Sequence, residues 1–239
     1  MTASTERGPF VSLSDDLGAL VTGLGPRVVS VFARGGRPSN GFVFDDGLVL
    51  TPAHAVHRDH DLTIRTAQGT RDAATLAGSD DATNVAVLKA ASLAGQGPVE
   101  AADDPRPGHL LVALARHPDG TPLAALTMVQ RASGRLRAWR GQAHDRVLQL
   151  DRGLPPTFAG APLLDPRGRL AGMVLAGELR AAGLAAGGIG VLGVARTVAR
   201  DGGVARGFLG VMCQGVRLTG ASGPGGRHPR RGAVIARRG

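Results

Sequence analysis

Two stretches of the chain carry residues whose types and spacing suit proton transfer, nucleophilic attack or metal binding. The first is His54-Ala55-Val56-His57-Arg58-Asp59-His60-Asp61. An imidazole titrates near neutrality, so each of these histidines can move a proton or ligate a metal through a neutral ring nitrogen. His54, His57 and His60 recur every three residues, and two carboxylates accompany them. On a helical turn that spacing gathers ligands for zinc. On irregular chain it does not, and the stretch is then a solvated turn. The second stretch is Thr157-Phe158-Ala159-Gly160-Ala161-Pro162-Leu163, a tight turn feeding a strand. Thr157 has the one hydroxyl there, and no serine lies between Ser133 and Ser222. The lone cysteine, Cys213, excludes an internal disulfide and any multi-cysteine metal site. It reads as a small buried apolar side chain rather than a nucleophile.

These residues need a scaffold, and the periodicity predicts one built from short strands. VVSVFAR (28–34), GFVFD (41–45), GLVLT (47–51), DLTIRT (61–66), NVAVLK (84–89) and HLLVALA (109–115) read as strands in the first half. Asp46-Gly47 and Gln68-Gly69 sit where hairpin turns belong. The second half offers strands near 123–132, 146–150, 170–177 and 189–195. A polar, proline-containing stretch at 95–108 reads as the connection between the halves. Ser14-Asp15-Asp16 suggests the cap of a short N-terminal helix whose apolar face is Leu17, Leu20, Val21 and Leu24, stopped by Gly25-Pro26. Many short strands between Gly, Pro and Asp turns point to an all-β sandwich or barrel.

The 239 residues suffice for one large β domain or two small ones. Hydrophobic residues make up 43% and aromatics only 3%, so the core must be aliphatic. The scarcity of rings counts against a single-strand nucleic-acid platform. The net charge of +9 is concentrated in residues 206–239, which hold seven arginines and no acid. This leaves 21 basic against 19 acidic groups in the rest of the chain. Such a tail can attract nucleic acid or anionic lipid without sequence preference, or serve as a solvated appendage. Residues 223–232 are low in complexity and read as mobile, and Gly232-Ala233-Val234-Ile235 reads as a strand. The N-terminus lacks a secretory pattern and no run reaches a membrane span, so a soluble, cytoplasmic protein is expected.

Residues 39–90 resemble the first half of the HtrA/Deg family of trypsin-fold serine proteases. The likeness rests on a glycine-containing strand start, a hairpin, and a threonine-x-x-histidine turn at Thr51-Pro52-Ala53-His54. Some thirty residues later comes Asp80-Asp81-Ala82-Thr83-Asn84-Val85-Ala86-Val87-Leu88-Lys89, where the family has an aspartate at the place of Asn84. The nucleophile loop of the family, G-N-S-G-G-P-L, is matched by 157–163 with Ala159 in place of the serine. Residues 190–194 and 206–211 resemble the family's late strands and the start of its PDZ domain.

The resemblance covers roughly 11–212 and implies an all-β, trypsin-like pair of six-stranded barrels with a site in the cleft between them. The organisation it implies is an N-terminal segment (1–26), a protease-fold domain (27–203, barrels near 27–94 and 108–203), and an incomplete PDZ-like remnant with a basic tail (204–239). Of the catalytic set, only His54 is retained. Ala159 brings no attacking atom, so covalent catalysis at that position is lost. Asn84 can bond His54 but is neutral, and its amide can present oxygen or nitrogen, the second of which selects the wrong tautomer. In chymotrypsin-type enzymes that exchange costs about 10⁴ in turnover. Thr157 replaces the first glycine of the oxyanion loop (Thr157, Phe158, Ala159), and a β-branched residue resists positive φ. The expected protein is a pseudoprotease with no cofactor, whose partner is an extended peptide or unfolded segment added as a strand. Two other readings stand beside it. One is a hydrolase using His54 with water or metal, and the other is anion binding through the arginine tail. The family often forms trimers through its N-terminal segment, but residues 1–13 carry little apolar surface beyond Phe10 and Val11, so the oligomeric state stays open.

Overall fold

Strand residues alternate sides, and in the first half of this chain both sides are covered. Val29, Val31, Val43, Val49, Ala86 and Leu88 point into one cluster. Their neighbours Val28, Phe42, Leu50, Val85 and Val87 point into another. That two-residue period with two buried faces explains the nearly continuous apolar runs. The computed structural model describes residues 8–33, 37–56, 61–134, 136–137, 143–175, 183–205, 211–218 and 230–237.

The first sheet comprises β1 (Val28–Phe32), β2 (Ser39–Asp45), β3 (Leu48–Pro52), β4 (Thr63–Arg65), β5 (Arg71–Ala73), β6 (Thr75–Asp80) and β7 (Val85–Lys89). Its order is β5-β4-β1-β2-β3-β7-β6. Among the described residues it is therefore seven-stranded, with β5 and β6 at its edges, rather than a closed six-stranded barrel. Two strands not read from the sequence lie before Asp80: β5 pairs with β4, and β6 with β7. The hairpin turns fall where the sequence placed them: Gly47 and Gly69 have φ of +60° and +83°.

The second half forms a closed six-stranded barrel. Its strands are β8 (Leu110–Arg116), β9 (Pro122–Ser133), β12 (Val147–Leu150), β13 (Pro162–Leu164), β14 (Leu170–Val174) and β15 (Leu184–Gly187). A small pair, β10 (Leu136–Arg137) and β11 (Ala143–His144), lies between β9 and β12 in the chain. The interior is filled by Leu111, Ala113, Val129, Leu148 and Leu163 among others. The connection at 95–108 ties the two halves together: Val99 N–H donates to Phe44, and Leu170 exchanges bonds with Glu100 and Ala102.

Two helical expectations are corrected. Helix α1 spans Pro9–Leu24, starting well before Ser14, with Gly8 as its N-cap and no side-chain cap. Proline has a pre-set φ and no N–H to satisfy, so Pro9 opens the helix better than Ser14 could. Leu17, Leu20, Val21 and Leu24 do pack against the core. The segment 189–195, expected as a strand, belongs to helix α2 (Gly188–Asp201). Its buried residues Val191, Leu192, Ala195 and Val198 follow the helical period, which a seven-residue window cannot separate from alternation. Gly202, at φ +76°, ends it in the left-handed conformation. Strand β14, expected to run to 177, stops at Val174.

Residues 1–204 form one unit and 205–239 a second. In the latter, β16 (Val211–Leu218) and β17 (Arg230–Arg237) pair antiparallel along their whole length. Gly232-Ala233-Val234-Ile235, expected as a strand, lies within β17, which also takes in Arg230 and Arg231. Among the described residues no helix is long and apolar enough to cross a membrane.

Candidate functional site

Strand register brings His54 and Asn84 together. β3 and β7 are paired to their ends, with Pro52 opposite Val85. His54 lies two residues beyond Pro52, on a 3₁₀ turn at Ala53–Ala55. Asn84 immediately precedes Val85, and its carbonyl accepts the N–H of Ala53 at 3.1 Å. The side-chain Oδ1 of Asn84 then accepts the His54 backbone N–H at 2.9 Å and lies 3.1 Å from Nδ1 of the ring. Asn84 is 1% exposed and holds φ +54°, a region that asparagine tolerates better than most residues. Its Nδ2 is buried with no hydrogen-bond partner.

The backbone donor decides the amide orientation. An N–H can only be met by the oxygen, so Asn84 turns Oδ1 toward His54. Nδ1 must then carry the proton to make a favourable contact with the same oxygen. Asn84 therefore selects the Nδ1–H tautomer that a carboxylate would also select, and only the charge differs.

The loop bearing Ala159 is held from the first sheet. Asn40, on β2, donates its backbone N–H to the Ala159 carbonyl at 2.9 Å. Its Nδ2 donates to the carbonyls of Thr157 and Ala159 at 2.8 and 3.0 Å, and its Oδ1 accepts the Arg116 N–H at 2.7 Å. Gly160 has φ +75°, and a Cβ there would lie 2.4 Å from Cδ of Pro52, so only glycine lets the loop approach β3 this closely. Pro156–Phe158 form a 3₁₀ turn, closed by donation from the Ala159 N–H to the Pro156 carbonyl at 3.0 Å. Positive φ among described non-glycine residues is confined to Asp61 and Asn84, so Thr157 stays in the ordinary region. Phe158 is buried, and Thr157 is exposed at the rim.

Arg116 and Asn40 were not singled out by motif, because a strand-end arginine and a strand-start asparagine carry no local signal. Arg116 is 5% exposed. Its guanidinium donates to the carbonyls of Val28, Gly120 and Gly25 at 2.7–2.8 Å. Burial lowers its pKa. His54, Asn40, Arg116, Thr157 and Ala159 line one cleft of about 500 Å³, with Arg37 at its edge. Asn84 lies beneath His54. Among the described residues no cluster of three potential metal ligands occurs. His57 and His60 lie outside the described residues. Cys213 belongs to the second unit, on β16.

Residues 39–173 match the trypsin-like peptidase domain. The match spans more than half of the chain, and the chain belongs to that family. Its fold is that of the HtrA/Deg proteases. Deg5 is 21% identical with a TM-score of 0.71, covering 83% of this chain and 100% of Deg5. The HtrA-type protease AlgW, solved with a tripeptide, is 23% identical with a TM-score of 0.69, covering 82% of this chain and 68% of that one. A serine-to-alanine mutant of the Rv3671c protein from M. tuberculosis, in an inactive form, is 24% identical with a TM-score of 0.66, covering 78% and 93%. No curated protein sequence matches the chain.

Proposed function

We propose that this HtrA-like trypsin-fold protein is a pseudoprotease that binds extended polypeptide without cutting it. In this reading His54 is the histidine of the triad, Asn84 stands at the place of the acid and Ala159 at the place of the nucleophile. The observation that carries the reading is Ala159. Its methyl group has no lone pair with which to attack a carbonyl, yet its loop is held against β2 and β3 beside His54. Two further features support it. Asn84 cannot supply the negative charge that stabilises an imidazolium. The Ala159 N–H, one of the donors that a developing oxyanion would need, is already given to Pro156. A retained cleft still accepts a peptide, because strand addition draws on backbone groups rather than on catalytic side chains.

The test is digestion of unfolded casein by the purified protein, beside equilibrium binding of unfolded peptides. The expected result is binding without cleavage. Cleavage that survives repurification and disappears in His54→Ala overturns the reading, and so does absence of binding to any peptide.

A further inference from the structure

The cleft between His54 and the Ala159 loop has an unbalanced charge. Its described lining residues include two arginines and a histidine but no acid. Arg116 spends its donors on three carbonyls, so its positive charge meets no carboxylate. Arg37 is exposed and makes no hydrogen bond or ion pair among the described residues. Beneath His54, Asn84 contributes an amide where a carboxylate would contribute a negative charge. Ala159 keeps the floor of the cleft open, since it adds only a methyl group. Low-dielectric walls lined by one sign of charge focus the field on whatever enters.

Building on the peptide-binding reading above, we propose that this cleft selects extended segments bearing an aspartate or glutamate side chain, with the carboxylate received by Arg37. A guanidinium offers paired N–H donors that match a carboxylate, and an arginine with no partner among the described residues gives up none of them to make the contact. The positive charge of buried Arg116, which lines the same cleft, reinforces the preference from a position that water does not fully screen. A lysine-bearing segment meets repulsion from the same two groups.

The experiment uses the full chain and fluorescence anisotropy. The probes are eight-residue labelled peptides, acetylated and amidated so that a central Glu, Gln or Lys is the sole variable. The Glu probe is expected to bind roughly fivefold or more tightly than Gln, and Lys weakest, with the Glu advantage shrinking as salt rises. Arg37→Gln, at an exposed position, should abolish the difference in affinity between the Glu and Gln probes. Arg37→Glu should reverse the order of Glu and Lys. Ala159→Phe should weaken all three probes by filling the cleft. Equal binding of the three probes overturns the charge preference but leaves peptide binding standing. Binding of no probe overturns the underlying reading itself. A Glu preference that survives both Arg37→Gln and Ala159→Phe overturns the assignment to this cleft and points to the arginines of 206–239.

Discussion

The backbone N–H and the ring Nδ1 of His54 converge on a single oxygen, Oδ1 of Asn84, at 2.9 and 3.1 Å. That convergence leaves the ring oriented as an acid–base residue while removing the charge that would make it one. It also fixes the tautomer. Nitrogen NMR on His54 should find Nδ1 protonated and Nε2 bare in the neutral ring. A bare Nδ1 would mean that the amide is reversed and the backbone N–H is unmet.

The second prediction follows from the Pro156–Ala159 bond. Restoring a hydroxyl and a carboxylate with Asn84→Asp/Ala159→Ser rebuilds two side chains but leaves the 3₁₀ turn that consumes the Ala159 N–H. The double variant should digest casein slowly if at all. Adding Thr157→Gly frees the loop to turn its donors outward and should raise turnover by about 10²–10³, the usual worth of an oxyanion donor. Equal rates in the double and triple variants would show that the loop opens without help.

Asn40 and Arg116 form the third case. Arg116 closes three carbonyls from separate segments, and its own N–H meets Asn40, which in turn holds the Ala159 loop. Arg116→Leu keeps the bulk but leaves those carbonyls unmet. Denaturant unfolding should show a loss of about 2–4 kcal/mol, since each buried unpaired group costs about 1–3 kcal/mol. Arg116→Lys, with a single-point donor, should recover only part of it. A change below about 0.5 kcal/mol would mean that water replaces the guanidinium.

Much of the architecture was legible because the first sheet uses two apolar faces in strict alternation, and because glycines mark its hairpins. The His54–Asn84 pair was legible only through the resemblance of Thr51–His54 and Asp80–Lys89 to the HtrA/Deg motifs; the strand register that joins them comes from the structure. Three things were not. Helix α2 hides in IGVLGV, where glycines dilute the apolar signal and the period needs residues out to Val198 to show itself. The early start of α1 turns on Pro9, one residue against a conspicuous Ser-Asp-Asp. The Asn40–Arg116 clamp joins residues 76 apart in sequence through the Arg116 backbone N–H and the Asn40 Oδ1, and a backbone donor carries no side-chain signature.

The final prediction concerns His144, on β11, outside the cleft. It is 5% exposed, and its Nε2 has no hydrogen-bond partner in its buried setting. Burial pushes its pKa below the ordinary value of 6.5, and neighbouring Asp145 opposes this only in part. The folded state therefore resists a proton that the unfolded chain accepts. Its contribution to stability is complete above the unfolded pKa, falls as pH drops below about 6.5, and levels once the folded ring itself protonates. Thermal melts between pH 7.5 and 5 should show the wild type losing stability faster than His144→Phe, whose ring cannot titrate. Parallel curves for the two proteins would place the acid sensitivity on another group.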